Sequence, residues 1–171
     1  MRNEEFPDNG AALRVATSDD LDAINDIYNY YVFHSTCTYQ ETAEPMESRR
    51  EWFAGHGARH PVTVAEMDGK VVGWGSLTPY HARSAYRNTV ENSVYVHHEF
   101  HRRGIGSMIL KDLIERSRAI GLRAIIAGID AEQTGSVKLH EKFGFEKVGN
   151  MKQVGFKFGR WLDVAYMELL V

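Results

Sequence analysis

The residues with the clearest chemical potential form a short basic turn near the middle of the chain. Arg102 and Arg103 place two permanent positive charges directly before a Gly-Ile-Gly sequence at 104–106. Glycine accepts backbone angles that other residues avoid, so successive N–H groups in such a turn can converge on one point. The residue types therefore predict an anion-binding turn.

The elements on either side must position this turn. A β-branched and aromatic run that ends in Val94, Tyr95 and Val96 predicts a strand. Beyond Ser107 apolar residues recur at helical spacing as far as Gly121, a glycine typical of a helix C-terminus. Because a helix N-terminus carries unpaired amides and a partial positive charge, we expect the strand–turn–helix unit to bind phosphate.

Two familiar phosphate loops do not fit this unit. A dinucleotide-binding fingerprint requires a third glycine, and Ile109 stands at that position. A Walker loop requires Gly-Lys followed by Ser or Thr, and the sequence contains no such run. Considered by itself, this segment could also be an ordinary turn without a ligand. The rest of the chain must distinguish an anion-binding turn from an ordinary one.

Composition restricts the class of protein. A net charge of −3 provides no basic field, so neither nucleic acid nor an anionic membrane is an expected partner. The single cysteine, Cys37, excludes an internal disulfide framework and suits a reducing compartment. No apolar run reaches membrane-spanning length, and residues 1–9 are too polar for a signal sequence, so we expect a cytoplasmic protein.

Strand and helix signals alternate along the 171 residues, which predicts one domain of mixed α/β (α+β) class with a central sheet flanked by helices. Asp68-Gly69 is the strongest hairpin signal, because the pair accepts the positive φ angles of a type I′ turn. Gly73 and Gly75 leave one strand face bare, which predicts a close approach by a backbone or a ligand. The expected strands cover 13–16, 62–67, 70–77, 122–129, 145–154 and 161–170, and the expected helices begin near 21, 45, 106 and 136.

Residues 78–88 are polar and rich in turn formers, which predicts a loop at the edge of the sheet. Arg83 can grip a carboxylate through two parallel hydrogen bonds, with His81 beside it. The alternative for both residues is a solvated surface loop. Near the end of the chain, Phe156, Phe158 and Trp161 crowd one segment, which favours a homodimer.

From about residue 13 to 170 the chain resembles the GNAT superfamily of acyl-CoA-dependent N-acyltransferases. The similarity is carried by the turn at 102–107, by SVKLHEKFGF at 136–145, and by HARSAYRNTVENSVYV at 81–96 with GFKFGRWLDVAYM at 155–167. The last two segments are similar to the branch of phosphinothricin and methionine sulfone or sulfoximine acetyltransferases. Three residues depart from the pattern: His101 replaces Gln or Arg, His81 replaces a lysine of some relatives, and Gln133 replaces a frequent asparagine.

The resemblance implies acetyl-CoA as co-substrate and no metal. Backbone amides of the strand would pair with the pantetheine arm and face the thioester oxygen, and the basic turn would hold the pyrophosphate. The implied coenzyme contacts are Val94, Tyr95, Val96, Arg102, Arg103, Gly104, Ile105, Gly106, Ser107, Gln133 and Lys142.

Two residues are implied as catalytic. Glu91 interrupts an apolar strand just before the acyl site and is the candidate base, acting through water or with a pKa raised by burial. His140 stands where many relatives have a tyrosine that protonates the departing thiolate. The alternatives are a glutamate on the solvent face and a histidine packed on its helix.

The resemblance implies N-acetylation of the α-amine of a small amino acid or analogue. A different amine, such as a polyamine, an aminoglycoside or a protein terminus, is one alternative, and a non-catalytic acyl-CoA sensor is another. The implied acceptor contacts are Tyr39, His81, Ala82, Arg83, Glu91, Asn92 and Ser93.

Overall fold

The computed structural model describes residues 10–171, so the expectation about residues 1–9 lies outside the described residues. No described helix is long and apolar enough to cross a membrane. The described strands are β1 (Ala12–Val15), β2 (Val62–Met67), β3 (Lys70–Pro79), β4 (Thr89–Val96), β5 (Ala124–Asp130), β6 (Glu146–Lys157) and β7 (Arg160–Leu170), and the described helices are α1 (Leu21–His34), α2 (Met46–Ala54), α3 (Ile105–Ala119) and α4 (Thr134–Lys142). These seven strands form one sheet in the order β1-β2-β3-β4-β5-β7-β6.

The predicted mixed sheet flanked by helices is confirmed. All neighbouring strands are antiparallel except β4 and β5, which run parallel. Their ladder extends only from Thr89 opposite Ala124 to Glu91 opposite Ile126. Beyond Glu91 the two strands no longer pair, and a groove opens between their C-terminal ends.

Helix α3 packs on one face of the sheet, over the two bare positions of β3. A Cβ atom on Gly75 would lie 2.4 Å from Cγ2 of Ile109 and 3.0 Å from Cδ1 of Leu113. The close approach expected at Gly73 and Gly75 is therefore made by side chains of α3. This contact fixes the height of α3 above the sheet and, with it, the position of the turn that starts the helix.

The hairpin turn between β2 and β3 was predicted correctly, and the length of the one between β6 and β7 was not. Asp68 and Gly69 have φ angles of 50° and 74°, as the predicted hairpin turn requires. The expected gap between strands 145–154 and 161–170 is too long, because β6 continues to Lys157 and β7 starts at Arg160. Phe158 and Gly159 make the turn alone, with φ angles of 52° and 74°. A phenylalanine rarely adopts positive φ, so the sequence carried no clear signal for so tight a turn.

The contact between α3 and β3 predicts a strong effect of a single methyl group. Gly75→Ala should lower the free energy of unfolding by about 1–3 kcal/mol, because overpacking forces side chains or backbone to shift. Urea denaturation checks this value. Gly135→Ala is the control, since a Cβ there meets nothing within 4 Å and alanine favours the helix. Equal stability of both variants would contradict the tight contact.

Candidate active site

The basic turn between β4 and α3 has the backbone shape of an anion-binding loop. Arg102 and Gly104 adopt left-handed φ angles of 60° and 81°, and α3 starts at the next residue. The first helical hydrogen bond runs from Met108 N–H to the carbonyl of Gly104, at 3.0 Å. The N–H groups of the first helical turn, at 105–107, therefore precede any helical partner and are available to an anion.

His101 ties this turn to α1. Its Nε2 lies 2.6 Å from the hydroxyl oxygen of Tyr31 and 3.2 Å from the carbonyl oxygen of Val96. The Tyr31 hydroxyl also donates to that carbonyl. Burial raises the pKa of Tyr31, which keeps the hydroxyl protonated as a donor. Tyr31 is a buried core residue, and its hydroxyl positions the end of β4.

The groove between β4 and β5 joins residues that the sequence identified separately. Its walls include Asn92, Ser93, Val94 and Tyr95 from β4, and Gln133 and His140 from the segment after β5. Cys37 closes the groove from the loop after α1. Cys37 itself is exposed, and desolvation by its surroundings raises the pKa of the thiol, whereas an activated nucleophile requires a lowered pKa.

Glu91 lies at the point where β4 and β5 separate. A Cβ atom on Gly128 would lie 3.3 Å from Oε1 of Glu91, so the missing side chain of Gly128 makes room for the carboxylate. Burial raises the pKa of Glu91, and the nearby His81 partly opposes that shift. The carboxylate is half-buried rather than solvated on an open face.

His140 is buried against Asn92 on the other side of the groove. Its Nδ1 lies 2.8 Å from the carbonyl oxygen of Ser136, which can only accept, so Nδ1 carries the proton. Its Nε2, 3.0 Å from Nδ2 of Asn92, then accepts from that amide. Burial lowers the pKa of His140 and favours this neutral form. The Oδ1 atom of Asn92 has no hydrogen-bond partner within residues 10–171.

The loop after α1 is held over β5, β6 and β7. Nζ of Lys157 donates to the carbonyls of Ser35 and Thr38, both at 2.7 Å. The Tyr39 ring covers Gly155, where a Cβ atom would lie 2.4 Å from Cε2, and its hydroxyl donates to the carbonyl of Asp163 at 3.2 Å. The structure thus places Tyr39 in the support of this loop.

The remaining predicted residues lie around the groove or at its margins. Nε2 of Gln133 donates to Oγ1 of Thr36 at 3.1 Å. Lys142 is exposed in the last turn of α4. His81, Ala82 and Arg83 are exposed in the loop between β3 and β4, where the His81 ring packs on Tyr80 and Tyr86.

Sequence reasoning missed a second cavity beside the groove, with a volume of about 310 Å³. Arg49 of α2 lies in its wall with Tyr28, Trp52 and Trp74. The available signal was a charged residue at 49 within the apolar stripe of α2. A larger cavity, of about 480 Å³ and lined by Val15, Phe53, Ile120 and neighbouring residues, shares no lining residue with the groove.

Residues 10–171 contain no group of three His, Cys, Asp or Glu side chains that could hold a metal ion. The turn has the backbone shape for a phosphate group, and the splayed strands meet beside the half-buried carboxylate of Glu91. Residues 24–145 match the family model described as Acetyltransferase (GNAT) family. The chain belongs to this family, which confirms the resemblance seen in its motifs.

Relatives with named activities align with this chain over most of its length. An L-methionine sulfoximine/L-methionine sulfone acetyltransferase from Pseudomonas paraeruginosa is 40% identical over 93% of this chain and 94% of its own. A phosphinothricin N-acetyltransferase from Alcaligenes faecalis is also 40% identical, over 91% of this chain and 80% of its own. A phosphinothricin acetyltransferase from Sinorhizobium meliloti, solved in complex with AcCoA, is 38% identical and superposes with a TM-score of 0.91 over 95% of this chain and 89% of its own.

Proposed function

We propose that the protein transfers an acetyl group from acetyl-CoA to the α-amine of a small amino acid or analogue of the phosphinothricin, methionine sulfone or methionine sulfoximine type. The observation that carries this proposal is the 40% identity, over more than nine-tenths of the chain, to acetyltransferases named for such substrates. The half-buried Glu91 beside the groove supports a catalytic rather than a sensing role. A cytoplasmic location fits the lone cysteine.

The coenzyme would occupy the turn and the groove. The N–H groups at the start of α3, with Arg102 and Arg103, fit a pyrophosphate. The unpaired edge of β4 at 94–96 fits the amides of a pantetheine arm as an added strand. Gln133 and Lys142 would add contacts on the β5 and α4 side.

Direct transfer suits the residues around the groove. The amine nitrogen forms a bond to the acetyl carbon, the carbon–sulfur bond breaks, and the amine proton passes to Glu91 directly or through water. The departing thiolate takes up a proton from solvent, and Glu91 later releases its proton to solvent, so the products are the amide and the free thiol. Because the Cys37 thiol is disfavoured as a nucleophile, no acyl-enzyme is proposed.

The contacts of His140 redefine its part in this scheme. To act as the acid, Nε2 would first have to gain a proton, which burial opposes and the bond from Asn92 obstructs. In the resting state we assign His140 as the residue that holds the Asn92 amide in the groove wall. Protonation of the thiolate by His140 would require the Asn92 amide to turn over.

Arg83 is proposed to bind the acceptor carboxylate, with His81 and Ser93 nearby. A screen of acetyl-CoA consumption should show turnover with phosphinothricin, methionine sulfone or methionine sulfoximine and none with spermidine, because a polyamine is repelled by arginine. Arg83→Ala should chiefly raise KM for these substrates, since the carboxylate contact exists in the ground and transition states alike. Turnover of spermidine alone would refute the substrate class.

Glu91→Gln should lower kcat by roughly 10²–10⁴-fold and leave acetyl-CoA affinity unchanged, because it removes a proton acceptor and no coenzyme contact. In the wild type kcat/KM should fall as pH drops through the raised pKa of Glu91, above the usual ~4.3 of glutamate. In the variant, kcat/KM should no longer show this decrease at low pH. Unchanged turnover in the variant would exclude Glu91 as the base.

We also propose a homodimer through the β6–β7 hairpin. Phe156, Phe158 and Trp161 are 51%, 56% and 61% exposed, and the rings of Phe156 and Trp161 lie 5.0 Å apart. Light scattering at micromolar concentration should give a dimer, which Trp161→Asp should convert to a monomer. Phe33→Asp, at an equally exposed ring on α1, is the control and should stay dimeric. A monomeric wild type would exclude this interface.

A further inference from the structure

The cavity beside Arg49 lies on the sheet face covered by α1 and α2. Trp74 and Tyr95, stacked at 4.8 Å, form its base, and Tyr28 and Trp52 form its sides. Ser93 and Tyr95 line both this cavity and the coenzyme groove. The cavity therefore adjoins the place where the acceptor amine would meet the acetyl group.

The guanidinium of Arg49 makes no ion pair within residues 10–171. The residue is only 4% exposed, and its Nε donates to the neutral Oδ1 of Asn25 at 3.0 Å. The Glu44 carboxylate, which lines the same cavity, stabilises the charge from beyond 4.0 Å, and neither terminal nitrogen has a hydrogen bond to these residues. A buried cation without a hydrogen-bonded carboxylate is costly, so its retention needs a reason.

Aromatic rings offset part of the cost of burying the Arg49 charge. The guanidinium carbon lies 4.7 Å from the ring centroid of Tyr28 and 4.8 Å from that of Trp52. Such contacts stabilise the charge without using its hydrogen-bond donors. The N–H donors of the two terminal nitrogens stay unused, and they suit an oxygen-bearing group with two acceptor atoms.

A second unused donor belongs to the same cavity. Trp74 is 2% exposed, and its indole Nε1 has no hydrogen-bond partner within residues 10–171. Arginine and tryptophan side chains donate and cannot accept. At the rim, the Gln40 amide already donates to the Glu44 carboxylate at 2.9 Å. Arg49 and Trp74 thus suit a ligand group that offers acceptor atoms, such as the oxygens of a phosphinate or a sulfonyl group.

We propose that this cavity binds the phosphinate or sulfonyl end of the acceptor side chain, while the α-carboxylate faces Arg83. The inference rests on the proposed function for the identity of the acceptor. It assigns Arg49 as the residue that distinguishes amino acids with such an end from those with an apolar one.

Binding can be tested without the reaction, using dimethylphosphinate, which has no amine. The chain has three tryptophans, and two of them, Trp52 and Trp74, line the cavity, so Trp161→Phe leaves only cavity reporters. In this background dimethylphosphinate should change the fluorescence saturably. Adding Arg49→Gln should weaken binding roughly tenfold or more, and adding Arg50→Gln, at an exposed arginine of the same helix, should leave it unchanged. An absent or Arg49-independent response would overturn the subsite.

Kinetics test the same residue with substrates. Arg49→Gln should raise KM for phosphinothricin relative to norvaline, whose side chain carries no oxygen, by roughly tenfold, whereas Arg83→Ala should affect both substrates alike. Thermal unfolding and acetyl-CoA binding show whether Arg49→Gln folds. If it does not, Arg49→Lys keeps the charge but lacks the paired N–H donors of the guanidinium, and it should show the same selective rise in KM for phosphinothricin. An unchanged KM ratio in a folded variant would refute the assignment. If the wild type acetylates no amino acid, the proposed function fails, and the dimethylphosphinate titration still decides the subsite.

Discussion

The short parallel ladder between β4 and β5 is the constraint on which the rest of the site depends. Two parallel strands that paired along their full length would bury their edges and leave no room for a coenzyme arm. Pairing that stops at Glu91 exposes backbone amides on one side of the groove and leaves the carboxylate at its closed end. The divergence is sustained from both faces, because α3 sits directly on the glycines of β3 and the loop after α1 is fixed by Lys157.

Hydrogen-bond donors and the Glu91 carboxylate lie at different ends of the exposed edge of β4. Backbone N–H donors lie at the start of α3. Glu91 is half-buried at the other end of the exposed edge of β4. Burial shifts two groups beside the groove towards their neutral forms, since it raises the pKa of Glu91 and lowers that of His140. The raised pKa makes the Glu91 carboxylate a stronger base, which suits deprotonation of an ammonium group, and the lowered pKa leaves little protonated His140 for acid catalysis.

Local signals in the sequence predicted the elements and the turn, because glycine geometry, strand alternation and helical spacing act within a few residues. They failed where the outcome depends on tertiary contacts. Phe158 adopts positive φ only because β6 and β7 pair right up to the turn. No local pattern pointed to the bond between Asn92 and His140, which depends on how α4 packs beside β4. Arg49 received no functional role from the sequence, and only the packing of α2 near Trp74 shows a buried guanidinium at a cavity.

The two acceptor-side arginines differ in what they can contribute. Arg83 is exposed, so water competes for its donors and a missing carboxylate leaves it solvated at little cost. Arg49 is already desolvated, so a ligand that supplies no acceptor leaves a buried charge unpaired. Discrimination is largest where the wrong ligand leaves buried polar groups unsatisfied. An exposed arginine therefore adds general affinity for amino acids, whereas a buried one selects among their side chains.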